Sequence, residues 1–460
     1  MSSSNSFEFT KKQKQTFLFM IVIGLIAVLA GILTGQISMD RFWANLLLDS
    51  VYFTGIGALA IFFLAAHQIA MAGWHISVIR IPEAMSQFTK FGAVFILIIV
   101  LGTALDYHHL YHWSDNFIKK EYVTPAELEA YEADHAHHEM GGHESVDHNS
   151  NEHSMTSGKA DVVLASNETG EHAEANADGL ILNPFYDKLI AGKKAYLNDG
   201  FFILRSIIYL GLWSFIAFML RKFSKAQDKD GDIKWYNKTR TWSAVFLVIW
   251  AVSSSMMAWD WVMSLDPHWY STLFGWYNFI SLFVASLCTI ILILIYLKNK
   301  GYMVLLNENH LHDLGKYVFG FSIFWTYLWF SQFMLIWYGN LPEETAWFLE
   351  RKREYGLLFL PNLFINFLVP FLVLMRRDAK RNLTVLTVVA SILIIFHWVD
   401  FFLMIMPSTI GADWGIGYFE IGMVLFFAGM FLYITFNELS KLSLMPAKHP
   451  MYKESLDHHQ

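Results

Sequence analysis

Cysteine is almost absent from this chain, whose only cysteine is Cys288 within an apolar run. A cysteine-ligated iron–sulfur cluster, a C-x-x-C-H haem attachment and an internal disulfide each need at least two cysteines. The sequence therefore excludes all three. It also contains neither a P-loop nor a dinucleotide-binding glycine fingerprint after a predicted strand. If the chain serves redox chemistry, the electron carriers are expected to be quinones or to belong to other subunits.

Charge is also scarce, because only 16% of the 460 residues are charged, whereas soluble domains average about 25%. The hydrophobic residues make up 55% of the chain and gather in runs long enough to cross the hydrocarbon core of a membrane. The sequence thus predicts an all-α polytopic membrane protein with about ten transmembrane helices. The predicted spans are 17–35, 45–72, 88–112, 200–221, 240–263, 269–298, 316–338, 355–375, 383–406 and 415–437.

The distribution of Lys and Arg predicts the orientation of these spans. The two termini and alternate loops hold 22 of these residues, the opposite loops hold 10, and Arg205 begins the fourth span. Because cytoplasmic loops carry the excess of positive charge, both termini are expected in the cytoplasm. No small-x-small cleavage site follows the first run, which we therefore interpret as a retained helix. The predicted organisation is three helices in 1–112, an outer loop at 113–199, seven helices in 200–440 and a cytoplasmic tail at 441–460.

The predicted outer loop has three parts. Thr124-Pro125-Ala126-Glu127 resembles a capping box and predicts a short helix. The segment 132–177 is acidic and rich in histidine, which is typical of a solvated linker, with metal binding as the open alternative. The segment 183–198 regains apolar spacing and is expected along the membrane interface. The histidines of the linker are His135, His137, His138, His143, His148, His153 and His172.

Two acids occupy matching positions in apolar runs. Asp260 lies seven residues before Pro267, and Asp400 lies seven residues before Pro407. A carboxylate inside a membrane costs on the order of 3 kcal/mol even on lenient scales, and it commonly marks an ion path or a ligand site. If each proline ends its span, both acids lie at the same depth. The pattern predicts a duplicated membrane bundle that handles protons.

Other polar residues form two predicted clusters, one in each leaflet. His397 and Asp400 are three residues apart and share a helical face, which favours a hydrogen-bonded relay. The alternative for each residue is a polar group that seals helix contacts or reaches interfacial water. In the inner leaflet, His67 is the main candidate for a proton acceptor, near Gln68, His75, Glu83 and 308–313. The candidate outer residues are Asp260, Asp400, His397, Asp106, His108, His109 and Glu420.

Two cofactor hypotheses follow from the same residues. A b-type haem needs two axial ligands at one depth, and only His397 with His108 or His109 comes near this condition. Because those two histidines lie close to the surface, no haem and no metal are expected in this chain. The aromatic run 324–330 has the side chains to stack a quinone ring, although such runs are equally typical of membrane cores and interfacial belts.

Three stretches closely resemble one protein family. They are SLDPHWYSTLFGWYNF at 264–279, the segment 312–345 beginning HDLGKYVFGF, and IAGKKAYLN at 190–198. They are similar to the F-type integral membrane subunit of alternative complex III, the bacterial quinol:cytochrome c oxidoreductase that is unrelated to cytochrome bc1. The resemblance extends from Phe17 to about Leu444 but does not include the histidine-rich segment.

The resemblance implies a polysulfide-reductase-like (NrfD-like) fold of ten helices with two central four-helix bundles. It implies a subunit without its own redox centre, located in the bacterial inner membrane, with a proton-conducting role for Asp260, Asp400 and His397. Its implied partners are a sister subunit of the same fold, periplasmic iron–sulfur and haem c subunits, and an associated cytochrome c oxidase. No nucleic acid is expected as a partner. The sister subunit is the better candidate for quinol oxidation. The alternatives for this chain are binding of menaquinone or quinol and purely structural anchoring.

Overall fold

The computed structural model describes residues 6–140, 180–303 and 306–458. Within them, ten helices are long and apolar enough to cross a membrane, so the prediction of an all-α polytopic membrane protein is confirmed. The histidine-rich segment lies largely outside the described residues. The helices are α1 (Lys11–Leu33), α2 (Met39–Ile69), α3 (Arg80–Met85), α4 (Thr89–Ala104), α5 (Pro125–Met140), α6 (Lys188–Lys193), α7 (Asp199–Asp230), α8 (Ile233–Trp261), α9 (Leu273–Asn299), α10 (Glu308–Gly339), α11 (Pro342–Glu354), α12 (Gly356–Leu374), α13 (Leu383–Thr409), α14 (Tyr418–Leu439) and α15 (Tyr452–Leu456).

The chain divides into two compact units, one formed by Met1–Ser114 with Asp199–Gln460 and the other by Asp115–Asn198. The smaller unit contains a two-residue antiparallel pair, β1 (Tyr122–Val123) with β2 (Ile181–Leu182). The predicted capping box at its helix α5 is confirmed. The Thr124 hydroxyl accepts from the Glu127 amide at 3.2 Å, and the Thr124 amide donates to the Glu127 carboxylate at 2.9 Å.

The larger unit contains two four-helix bundles, as predicted. In the first, α2 packs on α4, α4 on α7, α7 on α8, and α8 on α2. In the second, α9, α10, α12 and α13 close a ring in the same order. Contacts of α2 and α8 with α9, and of α2 with α13, join the bundles. Because each bundle uses four successive long helices, the arrangement has the form of a duplication.

The first and last membrane helices pack against each other outside the bundles. Glycines allow this close approach, since a Cβ atom on Gly24 would lie 2.5 Å from the Gly422 carbonyl oxygen. A Cβ atom on Gly429 would likewise lie 3.0 Å from the Phe17 carbonyl oxygen. The backbones of α1 and α14 therefore touch where small residues face each other.

Several helix ends differ from those predicted. Helix α10 begins eight residues before the predicted 316, because the Asn307 side chain caps it by accepting from the Asn309 and His310 amides. The surface helix α11 was not predicted, although Pro342 at its first turn and the acidic Glu343 and Glu344 are typical helix-start signals. Because the start of α10 and the whole of α11 are polar, a search for apolar runs does not find them.

The described residues nearest to the two termini lie at the same end of the bundles, which we call the terminal end. There, Ser6 pairs with Ser443 through backbone hydrogen bonds, and the Ser455 hydroxyl contacts Ser77 at 2.7 Å. The tail helix α15 thereby packs on the turn Gly73–Ser77 that follows α2. We call the other end, where α11 lies, the opposite end.

Candidate functional site

Asp400 lies at the centre of the second bundle and is 1% exposed. The Tyr277 hydroxyl and the Asn362 amide, the latter at 3.0 Å, donate to its Oδ1 atom. The Ser281 hydroxyl at 2.8 Å and the Trp325 indole at 3.0 Å donate to Oδ2. These donors come from α9, α10 and α12, so every helix of the bundle takes part in the site on α13.

Helical spacing explains how these donors converge. Tyr277 and Ser281 are four residues apart on α9, and this spacing places both side chains on one face. Asn362 and Asn366 repeat the spacing on α12. The Asn366 amide donates to the Asn362 Oδ1 atom at 3.0 Å, which turns the amide of Asn362 toward Asp400. The site is therefore built from two polar i, i+4 pairs and one tryptophan.

His397 joins the site indirectly, which corrects the predicted direct relay with Asp400. The Ser281 hydroxyl lies 3.0 Å from the Nδ1 atom of His397 and donates its single hydrogen to Asp400. Nδ1 must therefore carry a hydrogen and donate to Ser281. The Nε2 atom of this fully buried ring has no hydrogen-bond partner in the described part of the chain. A chain of hydrogen bonds therefore runs from Asp400 through Ser281 to His397, whose Nε2 atom is left as an unoccupied acceptor.

No Lys, Arg or His nitrogen lies within 4.0 Å of the Asp400 carboxylate in the described residues. Neutral donors alone therefore satisfy this carboxyl group. Two of them, Tyr277 and Ser281, are hydroxyls that can rotate and accept a hydrogen bond instead of donating it. Because of that freedom, the site can accommodate a proton on either carboxyl oxygen.

Asp260, the matching acid of the first bundle, has a different environment. Arg205 on α7 forms a bidentate pair with it, from Nε at 2.8 Å and from Nη2 at 2.9 Å, and the Tyr209 hydroxyl donates at 3.1 Å. Arg205 and Tyr209 have the same i, i+4 spacing on α7 that Asn362 and Asn366 have on α12. The Arg205 guanidinium thus occupies the place that the Asn362 amide has beside Asp400, so Asp260 is one member of a buried ion pair.

The two prolines do not define a common depth, which is a second correction. Helix α8 ends at Trp261, one residue after Asp260, and a short 3-10 turn leads toward Pro267. Helix α13 instead continues through Pro407 to Thr409. Asp400 therefore lies nine residues inside its helix end.

Arg351 explains how α13 accommodates an internal proline. Pro407 has no N–H, so the Leu403 carbonyl four residues earlier loses its helical donor. The buried Arg351 of α11 replaces that donor through Nε at 2.9 Å, and its Nη2 atom reaches the Met404 carbonyl at 3.3 Å. Its guanidinium lies 3.5 Å from the centre of the Trp347 ring. Burial lowers the pKa of Arg351 to about 10, so the side chain stays charged at neutral pH.

Asp49 on α2 was not predicted, although it is fully buried. Its Oδ1 atom accepts from the Trp398 indole at 2.7 Å, and its Oδ2 atom has no partner in the described residues. Its place in the third turn of a helix that begins with Asp40 and Arg41 made it resemble an interfacial residue. The available signal was its spacing from Arg41 and Asn45, which puts all three on one helical face.

The remaining outer candidates do not join the Asp400 site. Glu420 pairs with Arg41 at 2.7 Å and accepts from the Gly417 amide at 2.8 Å. Asp106 and His109 are exposed on the loop after α4. In contrast, His108 is buried, with Nε2 bonded to the Ile99 carbonyl at 2.9 Å and Nδ1 accepting from the Leu110 amide at 3.4 Å. Burial lowers the pKa of His108, consistent with a neutral structural histidine.

His67 lies at the terminal end of α2 and is buried. Its Nδ1 atom contacts the Phe63 carbonyl at 2.8 Å, and its ring centre lies 5.2 Å from that of His75. The Nε2 atoms of both rings have no partner in the part of the chain that is described. Burial lowers the pKa of His75 to about 3. The two rings therefore present two unused acceptor nitrogens in a dry setting.

Nearby, a cavity of about 550 Å³ opens beside α10. Trp74, Tyr317, Phe321 and Phe324 line it, and the pair of Asp313 with His458, 2.7 Å apart, forms its polar end. Its size falls within the range of small-molecule sites. Of the described residues, no group of three or more His, Cys, Asp or Glu side chains is arranged to hold a metal ion.

Comparisons with known protein-family models and with curated proteins found no match to this chain.

Proposed function

We propose that this chain is an integral membrane subunit of a bacterial quinol-oxidising respiratory complex of the alternative complex III type. In this proposal the chain has no redox centre of its own and moves protons through the Asp400 site. The motifs at 190–198, 264–279 and 312–345 support the family assignment, and two four-helix bundles are the architecture that it implies. The proposed location is the inner membrane, with both termini in the cytoplasm.

One observation carries the proton role. Asp400 is a buried carboxyl group held by donors from three neighbouring helices, with no cation within ion-pair distance in the described chain. A buried acid that only stabilised the fold would gain from a charged partner, as Asp260 gains from Arg205. Neutral, rotatable donors instead allow the group to load and release a proton, which is the requirement for a transfer site.

The proposal assigns the electron transfer to partners. A sister membrane subunit of the same fold would oxidise menaquinol, periplasmic iron–sulfur and haem c subunits would carry the electrons, and a cytochrome c oxidase would associate with the complex. Co-purification in mild detergent tests this part. The expected result is that these partners and their haem c accompany the tagged chain. Recovery of the chain alone, at full yield and in the same detergent, would contradict it.

Proton release measured against electron flow in reconstituted vesicles tests the role of Asp400. Asp400→Asn keeps the shape and one acceptor oxygen but cannot titrate, so we expect quinol oxidation to persist at a reduced rate with fewer protons released per electron. His397→Gln should show a smaller decrease. The matched control is Asp413→Asn, which neutralises an exposed acid at the opposite end.

Two other functions remain as defined outcomes of these experiments. If Asp400→Asn keeps wild-type coupling and turnover, the proton role is wrong and the chain is a structural anchor. If a quinone analogue protects residues of the cavity beside α10 from labelling, and blocking that cavity stops turnover, the chain binds quinol directly. The aromatic walls of that cavity are the observation that favours this alternative.

A further inference from the structure

The buried carboxyl group of Asp49 is the least satisfied acid in the described membrane helices. It has no exposed surface and one hydrogen bond, from the Trp398 indole to Oδ1. Asp400 accepts four hydrogen bonds and Asp260 has an arginine partner, but within the described ranges the Oδ2 atom of Asp49 has neither. Burying a charge without a counter-ion costs far more than burying a neutral polar group. The geometry therefore favours a neutral acid.

Among the described residues, no cationic side chain forms an ion pair with Asp49. On its own helix, Arg41 is engaged by Glu420 at 2.7 Å and by the Gly415 carbonyl at 3.0 Å. The Tyr52 hydroxyl donates to the Ile394 carbonyl at 2.7 Å. Of the titratable groups on the helices packed against α2, the one that interacts electrostatically with Asp49 is the acid Glu420 on α14. His397 and Asp400 on α13 are bonded through Ser281, Asp260 on α8 is paired with Arg205, and Arg80 on α3 is paired with Glu83. Lys90 lies on α4, and Tyr277 and Cys288 lie on α9.

A row of polar side chains leads from Asp49 to the opposite end. Arg41, Asn45 and Asp49 follow one another at four-residue spacing on one face of α2. The Asn45 amide donates to the Arg41 carbonyl at 2.8 Å, while its Oδ1 atom has no partner in the described residues. The Arg41 side chain is 21% exposed. One helical face of α2 therefore carries the buried carboxyl group, one further unused acceptor and an arginine at the surface.

We propose that Asp49 is a proton-holding carboxylic acid, with the proton on Oδ2, and that the Arg41–Asn45–Asp49 face is its route to the opposite end. The carbonyl oxygen is then Oδ1, which accepts from Trp398. Release transfers one proton from Oδ2 to water on this route and leaves the carboxylate; uptake reverses the step. The claim that Asp49 takes part in proton transfer rests on the proposed function. The claim that its carboxyl group is protonated does not.

Infrared absorption of the purified full-length chain in nanodiscs tests the proton directly. A protonated carboxyl group has a carbonyl stretch that a carboxylate lacks, so the wild-type minus Asp49→Asn difference spectrum should contain one such band. Asn has nearly the same shape as the neutral acid and also accepts from Trp398, so its thermal unfolding should match that of wild type. Identical spectra in the carboxylic acid region would overturn the proposal.

Two further variants test the geometry and the route. Trp398→Phe removes the hydrogen bond to Oδ1, and the band should therefore shift to higher frequency. Asn45→Leu interrupts the polar row, so transfer of the protein into D2O should shift the band several-fold more slowly than in wild type. A band that keeps its frequency in Trp398→Phe would contradict the placement of the proton on Oδ2, and unchanged exchange in Asn45→Leu would contradict the route.

These measurements need no partner subunit and no quinol. If the chain proves to be an anchor or a quinol-binding subunit, the Asp49 band is still expected, because it depends only on burial and hydrogen bonding. If the band is absent while Asp400→Asn reduces proton release, the proposed function stands and the inference about Asp49 fails.

Discussion

The pairing of Arg351 with the Pro407 break predicts that the two residues are energetically coupled. Arg351 donates to the Leu403 carbonyl, which has lost its helical donor because Pro407 has no N–H. Pro407→Ala restores that N–H and returns the normal helical bond to Leu403. The loss caused by Arg351→Met should therefore be smaller when Pro407 has been replaced.

The expected change in the free energy of unfolding follows from the contacts that each substitution removes. Without Arg351, the Leu403 carbonyl is buried without a donor, at a cost of about 1–3 kcal/mol. The lost contact with the Trp347 ring, 3.5 Å from the guanidinium, adds about 0.5–2 kcal/mol. Arg351→Met should thus lower the free energy of unfolding by roughly 3 kcal/mol. In the Pro407→Ala background the cost of the unsatisfied Leu403 carbonyl disappears, so the coupling energy should equal that cost, about 1–3 kcal/mol.

A double-mutant cycle on the purified chain in detergent measures this coupling through the free energy of unfolding. The matched control is Arg353→Met, which removes an exposed arginine two residues along the same helix and should be nearly neutral with or without Pro407. A coupling energy below about 0.5 kcal/mol, the usual limit of additivity, would refute the role assigned to Arg351. A large effect of Arg353→Met would show that helix α11 responds to charge in general.

Three further predictions concern packing, acid sensitivity and orientation. Gly24→Ala places a Cβ atom 2.5 Å from the Gly422 carbonyl oxygen and should lower the free energy of unfolding by about 1–3 kcal/mol. Gly211 faces open space, so Gly211→Ala is the control and should not lower the free energy of unfolding. Burial lowers the pKa of His75 from 6.5 to about 3, so the folded protein disfavours the protonated ring and loses stability as the pH falls below 6.5, by about 2 kcal/mol at pH 5. The thermal unfolding of His75→Gln should therefore depend less on pH between 7 and 5 than that of wild type. If the count of Lys and Arg gives the right orientation, protease added to spheroplasts should cut within 132–177, and cutting only in inverted vesicles would contradict it.

The sequence predicted the number of membrane helices because each run of apolar residues is long enough to span a membrane independently of its neighbours. The ends were less predictable, since capping by Asn307 and the polar first turns of α10 depend on local hydrogen bonds. The surface helix α11 was missed for a related reason. It is short and charged, and its importance rests on Arg351, which acts on a different helix.

The candidate site was predicted only in part. Asp400 and His397 were identified because a charged residue in an apolar run is unusual, but Ser281, Tyr277 and Asn362 are ordinary residues in sequence. They become part of the site through the packing of α9 and α12 on α13, which no local pattern encodes. Asp49 was overlooked because its distance from the start of α2 said nothing about burial by α13.

The two matching acids show why position in a repeat does not determine chemistry. Asp260 and Asp400 occupy the last long helix of their bundles, and each faces an i, i+4 polar pair on the preceding helix. In the first bundle that pair begins with Arg205, which neutralises the acid and fixes it as part of an ion pair. In the second it begins with Asn362, which leaves the acid with neutral donors and the freedom to change its protonation state. The exchange of arginine for asparagine at the start of this pair is therefore one difference that gives Asp260 a charged partner and Asp400 neutral donors.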